Sequence, residues 1–316
     1  MKKFLLKGSI FLLLLSCLSC IIIFIFEKKL GKITNSYGLK RQQLESKADS
    51  IEVFVLGSSQ SLYGVNPACF GLRGYNVSNT SQSLFYDVNI TRKYIDKMPK
   101  LKYVFIAISY FSLGYEVFDC EDKWRDFFYK QYWGITFPEI KPNYINTHSK
   151  IYLYTPEMSL AYSLKLFHVN LAKDYTATGW AKMTSPGIID DMNGRKRVTA
   201  HDSNFKSKRI EGNKKILDTL LRELKKRNIT AVFFTPPVDT CYYKFTDKRK
   251  VDIMYKTISE FCEKYGCKYY NYFTDNRFST PDFADCDHLN TSGSEKFSKI
   301  LNEEILKKDI PLNKPK

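Results

Sequence analysis

Two short segments of this sequence carry residue types that together could perform acyl transfer. Residues 57–61 (Gly-Ser-Ser-Gln-Ser) follow a short apolar run, and residues 285–288 (Asp-Cys-Asp-His) stand just before the C-terminal helical pattern. Acyl transfer needs a nucleophile at a sharp turn, a base within hydrogen-bonding reach, and a third group that fixes the tautomer of the base. The two segments together supply candidate residues for all three roles.

Neither segment is informative by itself. Glycine and serine end many strands as plain turns, Asp-x-x-His is a common pattern, and a lone histidine is usually a structural residue. The joint placement is more specific, because Ser59 ends the first predicted strand and His288 precedes the last predicted helix. Asp287 is interpreted as a neighbour of the site, since Asp285 has the spacing that returns a carboxylate under the imidazole ring.

The elements that must position these residues alternate between strands and helices. Strands are predicted at residues 51–56, 74–78, 103–108, 230–234 and 268–272, where apolar runs are bounded by turn residues. Helical patterns separate them. The sequence therefore predicts an α/β fold: a doubly wound (flavodoxin-like) parallel sheet with helices on both faces, which is an α/β/α sandwich.

The helices are predicted from apolar residues at helical spacing. One spans residues 82–97 with Ser81 as its N-cap, a leucine stripe marks residues 217–224, and a third helix stops at Gly266. The last helix follows Ser292, which opens the pattern of a capping box.

Residues 112–205 interrupt this alternation, because they are rich in aromatic residues and lack a clean period. A structureless loop of that length would be unusual in a compact domain, so we predict a partly helical insertion over the carboxyl ends of the strands. Its aromatic residues are more typical of a core than of a sugar-binding platform. His148 and His168 are interpreted as structural, whereas His201 is a histidine that could reach the cleft.

The N-terminus has the pattern of a membrane anchor. Three lysines within the first seven residues precede an uncharged apolar run over residues 9–26. The run is longer than the ~7–15 apolar residues of a signal peptide and nears the ~20 that span a bilayer, so we predict an uncleaved single-pass anchor at residues 1–27. Basic residues flank both ends of the run, but a short basic N-terminus usually stays cytoplasmic, which places the body outside the cytoplasmic membrane.

The remainder of the chain divides by composition. Residues 28–50 are polar without a clear apolar stripe, so we predict a stalk there. Residues 51–307 form the predicted catalytic domain with its insertion, and residues 308–316 are a predicted tail.

Composition limits the partners. The net charge of +16 favours contact with anionic lipid or an anionic wall polymer, and a solvated basic surface explains it equally well. The sequence has no phosphate-binding glycine loop, zinc signature or nucleic-acid motif, so no cofactor, metal or nucleic-acid partner is implied. Six of the eight cysteines lie outside the apolar run without metal spacing, and disulfide connectivity cannot be read from them.

With these motifs the chain resembles the SGNH (GDSL-like) hydrolase superfamily, over residues 51–307 without the insertion. The resemblance implies that Ser59 is the nucleophile, His288 the general base and acid, and Asp285 the residue that orients His288. It also implies two oxyanion donors, the backbone N–H of Ser59 and the side chain of Asn79. The family's third block, Gly-x-Asn-Asp, is absent, because Ser109 and the residues after it stand in its place.

The Gly-Ser-Ser version of the first block is similar to that of cell-envelope members, which include membrane-anchored proteins of teichoic-acid D-alanylation and proteins of polysaccharide O-acetylation. This resemblance implies a serine acyl esterase or acyltransferase that acts on an acylated glycan or cell-envelope polymer, with a membrane acyl-export protein as a candidate partner. The alternative is a catalytically silent binding or scaffold protein of a polysaccharide export or modification complex, which the missing third block allows.

Overall fold

The structure is a computed structural model that describes residues 1–141, 143–153 and 170–309. His168, the middle of the predicted insertion and residues 310–316 of the predicted tail lie outside the described residues.

Five parallel strands form the centre of the body, in the order β2-β1-β3-β4-β5. This is the flavodoxin-like order, in which the chain reverses its direction of winding between β1 and β3. The predicted fold class is therefore confirmed, and each strand lies within two residues of its predicted bounds. The strands are β1 (Val53–Leu56), β2 (Gly74–Asn76), β3 (Tyr103–Ala107), β4 (Thr230–Thr235) and β5 (Lys268–Asn271).

Helices cover both faces of the sheet, and shorter 3₁₀ and π turns connect or extend them. The described helices are α1 (Lys2–Leu30), α2 (Ser36–Lys47), α3 (Ser59–Gly64), α4 (Leu84–Tyr94), α5 (Arg125–Phe128), α6 (Tyr144–His148), α7 (Lys150–Leu153), α8 (Asp191–Asn204), α9 (Ser207–Lys226), α10 (Thr240–Tyr243), α11 (Lys248–Tyr265), α12 (Thr291–Leu301) and α13 (Lys307–Asp309).

Two apolar cores result from the alternation of side chains along each strand. Phe54 and Leu56 of β1 point into the larger core, which α4, α9 and α11 cover. Val53 and Val55 point to the opposite face, where Phe297 and Leu301 of α12 pack against them. Both faces of the sheet are thus buried, as a doubly wound fold requires.

Two predicted helix starts are corrected by the structure. Ser83, and not Ser81, is the N-cap of α4, because Ser81 has a positive φ of 55° and so lies outside any helix. The last helix begins one residue before Ser292. Its N-cap is Asn290, whose side chain accepts a hydrogen bond from the N–H of Gly293 at 2.9 Å.

The predicted stalk is also corrected, because α2 packs on the body. Tyr37, Lys40 and Leu44 are buried on one face of α2. The Lys40 ammonium donates hydrogen bonds to the carbonyl oxygens of Asn76, at 2.9 Å, and of Ser78. A helix fixed in this way to the end of β2 is part of the domain.

Helix α1 is the one helix in the described part of the chain that is long and apolar enough to cross a membrane. Its side chains from Phe4 to Ile25 are exposed and do not pack on the body. The finding suggests a single-pass membrane anchor, in agreement with the sequence.

The described parts of the aromatic region contain short helices and α8. Trp133 and Trp180 are buried, as expected for core residues, whereas Trp124 is 42% exposed.

Candidate active site

A strained turn after β1 presents Ser59. Gly57 has a φ of 140°, and a Cβ atom at this position would lie 2.7 Å from Cβ of Ala107, so the turn requires glycine. The N–H of Gly57 donates a hydrogen bond to Asp87 Oδ1 at 2.9 Å. Ser59 follows as the first residue of α3 and lies where the parallel strands end.

A tight loop before α12 holds the other two residues. The loop is closed by an antiparallel bridge between Phe283 and Leu289. Within it, Asp285 Oδ1 accepts the backbone N–H groups of Asp287, at 3.0 Å, and of His288, at 2.9 Å. The Asp285 carboxylate is therefore fixed by its own loop before it contacts the imidazole ring.

The structure brings Ser59, His288 and Asp285 together. His288 Nε2 lies 2.8 Å from Ser59 Oγ, and His288 Nδ1 lies 2.9 and 3.0 Å from the two carboxylate oxygens of Asp285. A carboxylate at Nδ1 selects the tautomer with its proton on that nitrogen. The lone pair of Nε2 then faces the serine hydroxyl, which is the arrangement that proton abstraction from Ser59 requires.

Asp287 is a second, deeply buried carboxylate beside the same ring. Its Oδ1 accepts a hydrogen bond from Arg197 Nε at 2.8 Å and lies 3.6 Å from His288 Nδ1. Its side chain is only 1% exposed. Burial by itself would raise the pKa of Asp287, but the positive charges of His288 and Arg197 outweigh burial and hold this pKa well below its usual range.

The two carboxylates act on the basicity of His288. Burial lowers the pKa of His288, whereas the charge of Asp287 and then the hydrogen bond to Asp285 raise it. The balance leaves the pKa of His288 above its ordinary value. A histidine of raised basicity accepts a proton more readily, which suits a general base.

His201 reaches the edge of this cluster from α8. Its Nε2 lies 3.9 Å from Asp287 Oδ2, and its Nδ1 lies 2.6 Å from the hydroxyl of Tyr242. Burial lowers the pKa of His201 to about 3, so the ring is neutral at physiological pH. The structure therefore puts His201 behind Asp287, where it adds no charge.

The two predicted oxyanion donors lie in different surroundings. The N–H of Ser59 is at the first residue of α3, where backbone N–H groups have no acceptor within the helix. One amide hydrogen of Asn79 bonds Ser36 Oγ at 3.1 Å, and Asn79 Oδ1 accepts from Tyr175 at 3.3 Å. None of the described hydrogen bonds joins Asn79 to Ser59, so its role as a donor stays a prediction.

Ser109 lies just after β3, where the Gly-x-Asn-Asp block is absent from the sequence. Its hydroxyl donates to Gln60 Oε1, and Gln60 Nε2 lies 3.5 Å from Asp287 Oδ2. This relay ties the ends of β1 and β3 to the loop that carries His288.

Asp285, Asp287 and His288 are also the described residues that come closest to a metal site, since one ligand atom of each lies within 4.8 Å of the others. The Arg197 guanidinium already neutralises Asp287, and a cation bound there would meet this fixed positive charge. The donor set therefore suits an oriented histidine better than a metal ion.

Sequence reasoning missed Arg197, Gln60 and the burial of Asp287. Arg197 and His201 are four residues apart on α8, so they share a helix face, and this spacing was the available signal. Nothing local in the sequence indicates that α8 packs its polar face against a loop about ninety residues away.

The fold and these contacts define a class: an α/β protein with a parallel sheet and a Ser-His-Asp cluster at the carboxyl ends of its strands. A family model described as DltD protein matches residues 213–303, and this family is one of teichoic-acid D-alanylation. The matched stretch is less than a third of the chain; it includes Asp285 and His288 but not Ser59. The chain is thus similar to DltD in its C-terminal part, and no curated protein matches it significantly.

Proposed function

We propose that this protein is an extracytoplasmic serine acyl esterase or acyltransferase that acts on a cell-envelope or extracellular polysaccharide. The observation that carries the proposal is the position of His288 between Ser59 and Asp285, with a hydrogen-bonding distance on each ring nitrogen. The similarity to DltD over residues 213–303 supports an envelope polymer as the acceptor.

In the proposed reaction, Ser59 Oγ attacks an ester carbonyl while His288 Nε2 takes the serine proton. Asp285 remains ionised and stabilises the imidazolium that forms. His288 then gives the proton to the oxygen of the leaving alcohol, which leaves the acyl group on Ser59. In the second half, water or a glycan hydroxyl loses its proton to Nε2 and attacks the acyl ester, and Ser59 recovers a proton from His288.

The oxyanion would be stabilised by the N–H of Ser59 and by Asn79. Support for Asn79 is its second amide hydrogen, which has no partner in any described contact, since an asparagine amide offers two donors. This assignment belongs to the proposal.

The proposed layout is an anchor at residues 1–27 and a catalytic body that ends at about residue 307. We place the start of the body at α2, because of its buried contacts with Asn76 and Ser78. The basic N-terminus is proposed to stay in the cytoplasm, so that the body faces the envelope polymer.

The test is turnover of an aryl acetate and of an acetylated glycan by the purified full-length protein. His288→Ala is expected to abolish turnover. Asp285→Asn is expected to lower it strongly, since loss of the orienting aspartate lowers kcat about 10⁴-fold in a serine protease with a Ser-His-Asp triad. Asp287→Asn is the matched carboxylate control, for which we expect a loss of less than about tenfold, or roughly 1.4 kcal/mol of barrier.

Each variant must first be shown to fold, by circular dichroism. Full activity of His288→Ala would refute the triad, and greater damage from Asp287→Asn than from Asp285→Asn would refute our choice of orienting residue. Absence of turnover in the wild-type protein with every ester would favour the silent scaffold.

A further inference from the structure

A large, mostly apolar cavity lies beside Asn79, the predicted oxyanion donor. Its volume is about 770 Å³, which falls within the range of roughly 300–1,000 Å³ that small-molecule sites occupy. Tyr37, Phe128 and Leu153 form a buried part of its wall, each at most 5% exposed. Most of the remaining lining surface is apolar, and the polar side chains of the lining include Ser36, Asn79 and Arg125, whose guanidinium is paired with Asp122 at 3.3 Å.

One wall of the cavity is hydrogen-bonded to the C-terminal end of α1. Glu27, in the last turns of α1, accepts hydrogen bonds from the backbone N–H groups of Lys150, at 2.6 Å, and Ile151, at 3.2 Å, which begin α7. Ile151 and Leu153 of α7 line the cavity. The last turns of a membrane span lie near the lipid–water interface, so this wall of the cavity lies close to the bilayer surface.

Three large side chains of the lining are partly exposed. Trp124 is 42% exposed, Tyr152 is 46% exposed and Leu171 is 42% exposed. Tryptophan and tyrosine are enriched at membrane–water interfaces, and clustered exposed apolar residues are typical of binding surfaces. We define Trp124, Tyr152 and Leu171 as the rim of the cavity.

Another part of the wall contains Asn79, the predicted oxyanion donor. Asn79 and Tyr175 line the cavity and are joined by a hydrogen bond of 3.3 Å. Asn79 follows β2 at the edge of the sheet that carries Ser59. The cavity therefore extends from the membrane side of the body to the predicted oxyanion loop.

We propose that this cavity binds a hydrocarbon chain of a membrane lipid to which the glycan acceptor is linked. The proposal rests on the proposed function for the identity of the acceptor, and on the cavity alone for the binding of the chain. A lipid chain in the cavity would hold the attached polar group at the surface of the body, on the side of Asn79. The length of chain bound sets the affinity, because each buried methylene contributes about fourfold.

The experiment uses the full-length protein in nanodiscs of phosphatidylglycerol that include a phospholipid with a diazirine in its acyl chain. After illumination, the labelled residues are located by peptide mass spectrometry. We expect label on Phe128 and Leu153, which are buried in the wall, in addition to label on α1. Label on the rim and α1 alone would mean surface contact only and would overturn the proposal.

Leu171→Trp narrows the cavity and is expected to reduce labelling of Leu153 at least fivefold. Ile145→Trp is the matched control, because Ile145 is 61% exposed on α6 and is not among the described lining residues. Equal labelling of Leu153 in the two variants would also overturn the proposal.

The readout separates this proposal from the proposed function. Ser59→Ala is expected to keep full labelling of the cavity, because the chain binds without chemistry. Labelling of Leu153 in a protein that turns over no ester would support the lipid site and refute the proposed enzyme activity. Ester turnover without labelling of Leu153 would support the enzyme activity and refute the lipid site.

Discussion

Asp87 holds the turn beside Ser59, and its protonation is expected to make the stability of the protein depend on pH. This carboxyl group is 2% exposed, and its Oδ1 accepts hydrogen bonds from the N–H of Gly57 at 2.9 Å and from Gln82 Nε2 at 2.6 Å. Burial raises the pKa of Asp87 to about 7, and the two hydrogen bonds only partly oppose this effect. Asp87→Asn keeps an oxygen acceptor at Oδ1 and cannot ionise.

The size and sign of the effect follow from linkage. The unfolded chain loses the Asp87 proton near pH 3.9, whereas the folded protein keeps it until about pH 7. The stability that this group contributes is therefore complete below about pH 3.9 and is lost as the pH rises to about 7. Three pKa units correspond to about 4 kcal/mol, at 1.36 kcal/mol per unit.

The assay is denaturant unfolding of the full-length protein in a mild detergent between pH 4 and pH 8, followed by tryptophan fluorescence. The wild-type protein is expected to lose about 4 kcal/mol relative to Asp87→Asn across this range. Other buried acids, such as Glu116 and Asp126, cancel in the comparison because both proteins contain them. A difference that stays constant with pH would refute the argument that Asp87 is protonated in the fold.

Three further predictions concern the turn, the base and the anchor. Gly57→Ala is expected to destabilise the protein by roughly 2–6 kcal/mol, from backbone strain and from contact with Ala107 and Ser61, and an unchanged denaturation midpoint would contradict this. The acidic limb of the pH–activity profile is expected above the ordinary histidine pKa, because the pKa of His288 is raised and the protonated ring is not a base. Asp287→Asn should move this limb to lower pH, and a limb that does not move would exclude Asp287 as a cause. Protease added to intact spheroplasts should remove the body, whereas complete protection would show that the body faces the cytoplasm.

The strands and the loop of the candidate site could be predicted because their signals are local. A buried parallel strand is a short apolar run, and glycine after it indicates a sharp turn, as at Gly57. Asp285 and His288 lie in one tight loop, so their spacing alone brings the carboxylate to the ring. Such contacts need no knowledge of distant packing.

The parts that could not be predicted depend on packing between distant segments. The sequence of α2 predicts a stalk because Lys40 occupies a position in the buried stripe, between Tyr37 and Leu44, and a lysine hides the apolar pattern. Its burial is stabilised by two carbonyl oxygens at the end of β2, which no local pattern reveals. Arg197 meets Asp287 for the same kind of reason, since α8 packs against the loop only in the folded chain.

The proposed triad is tested most directly by covalent labelling of Ser59 in the full-length protein with a fluorophosphonate, with the adduct located by mass spectrometry. One adduct is expected, on Ser59, and it should be lost in Ser59→Ala and in His288→Ala. Ser58→Ala, which changes the neighbouring serine, should label nearly as well as the wild-type protein. An adduct on Ser58, or no adduct on a folded wild-type protein, would contradict the assignment of Ser59 as the nucleophile.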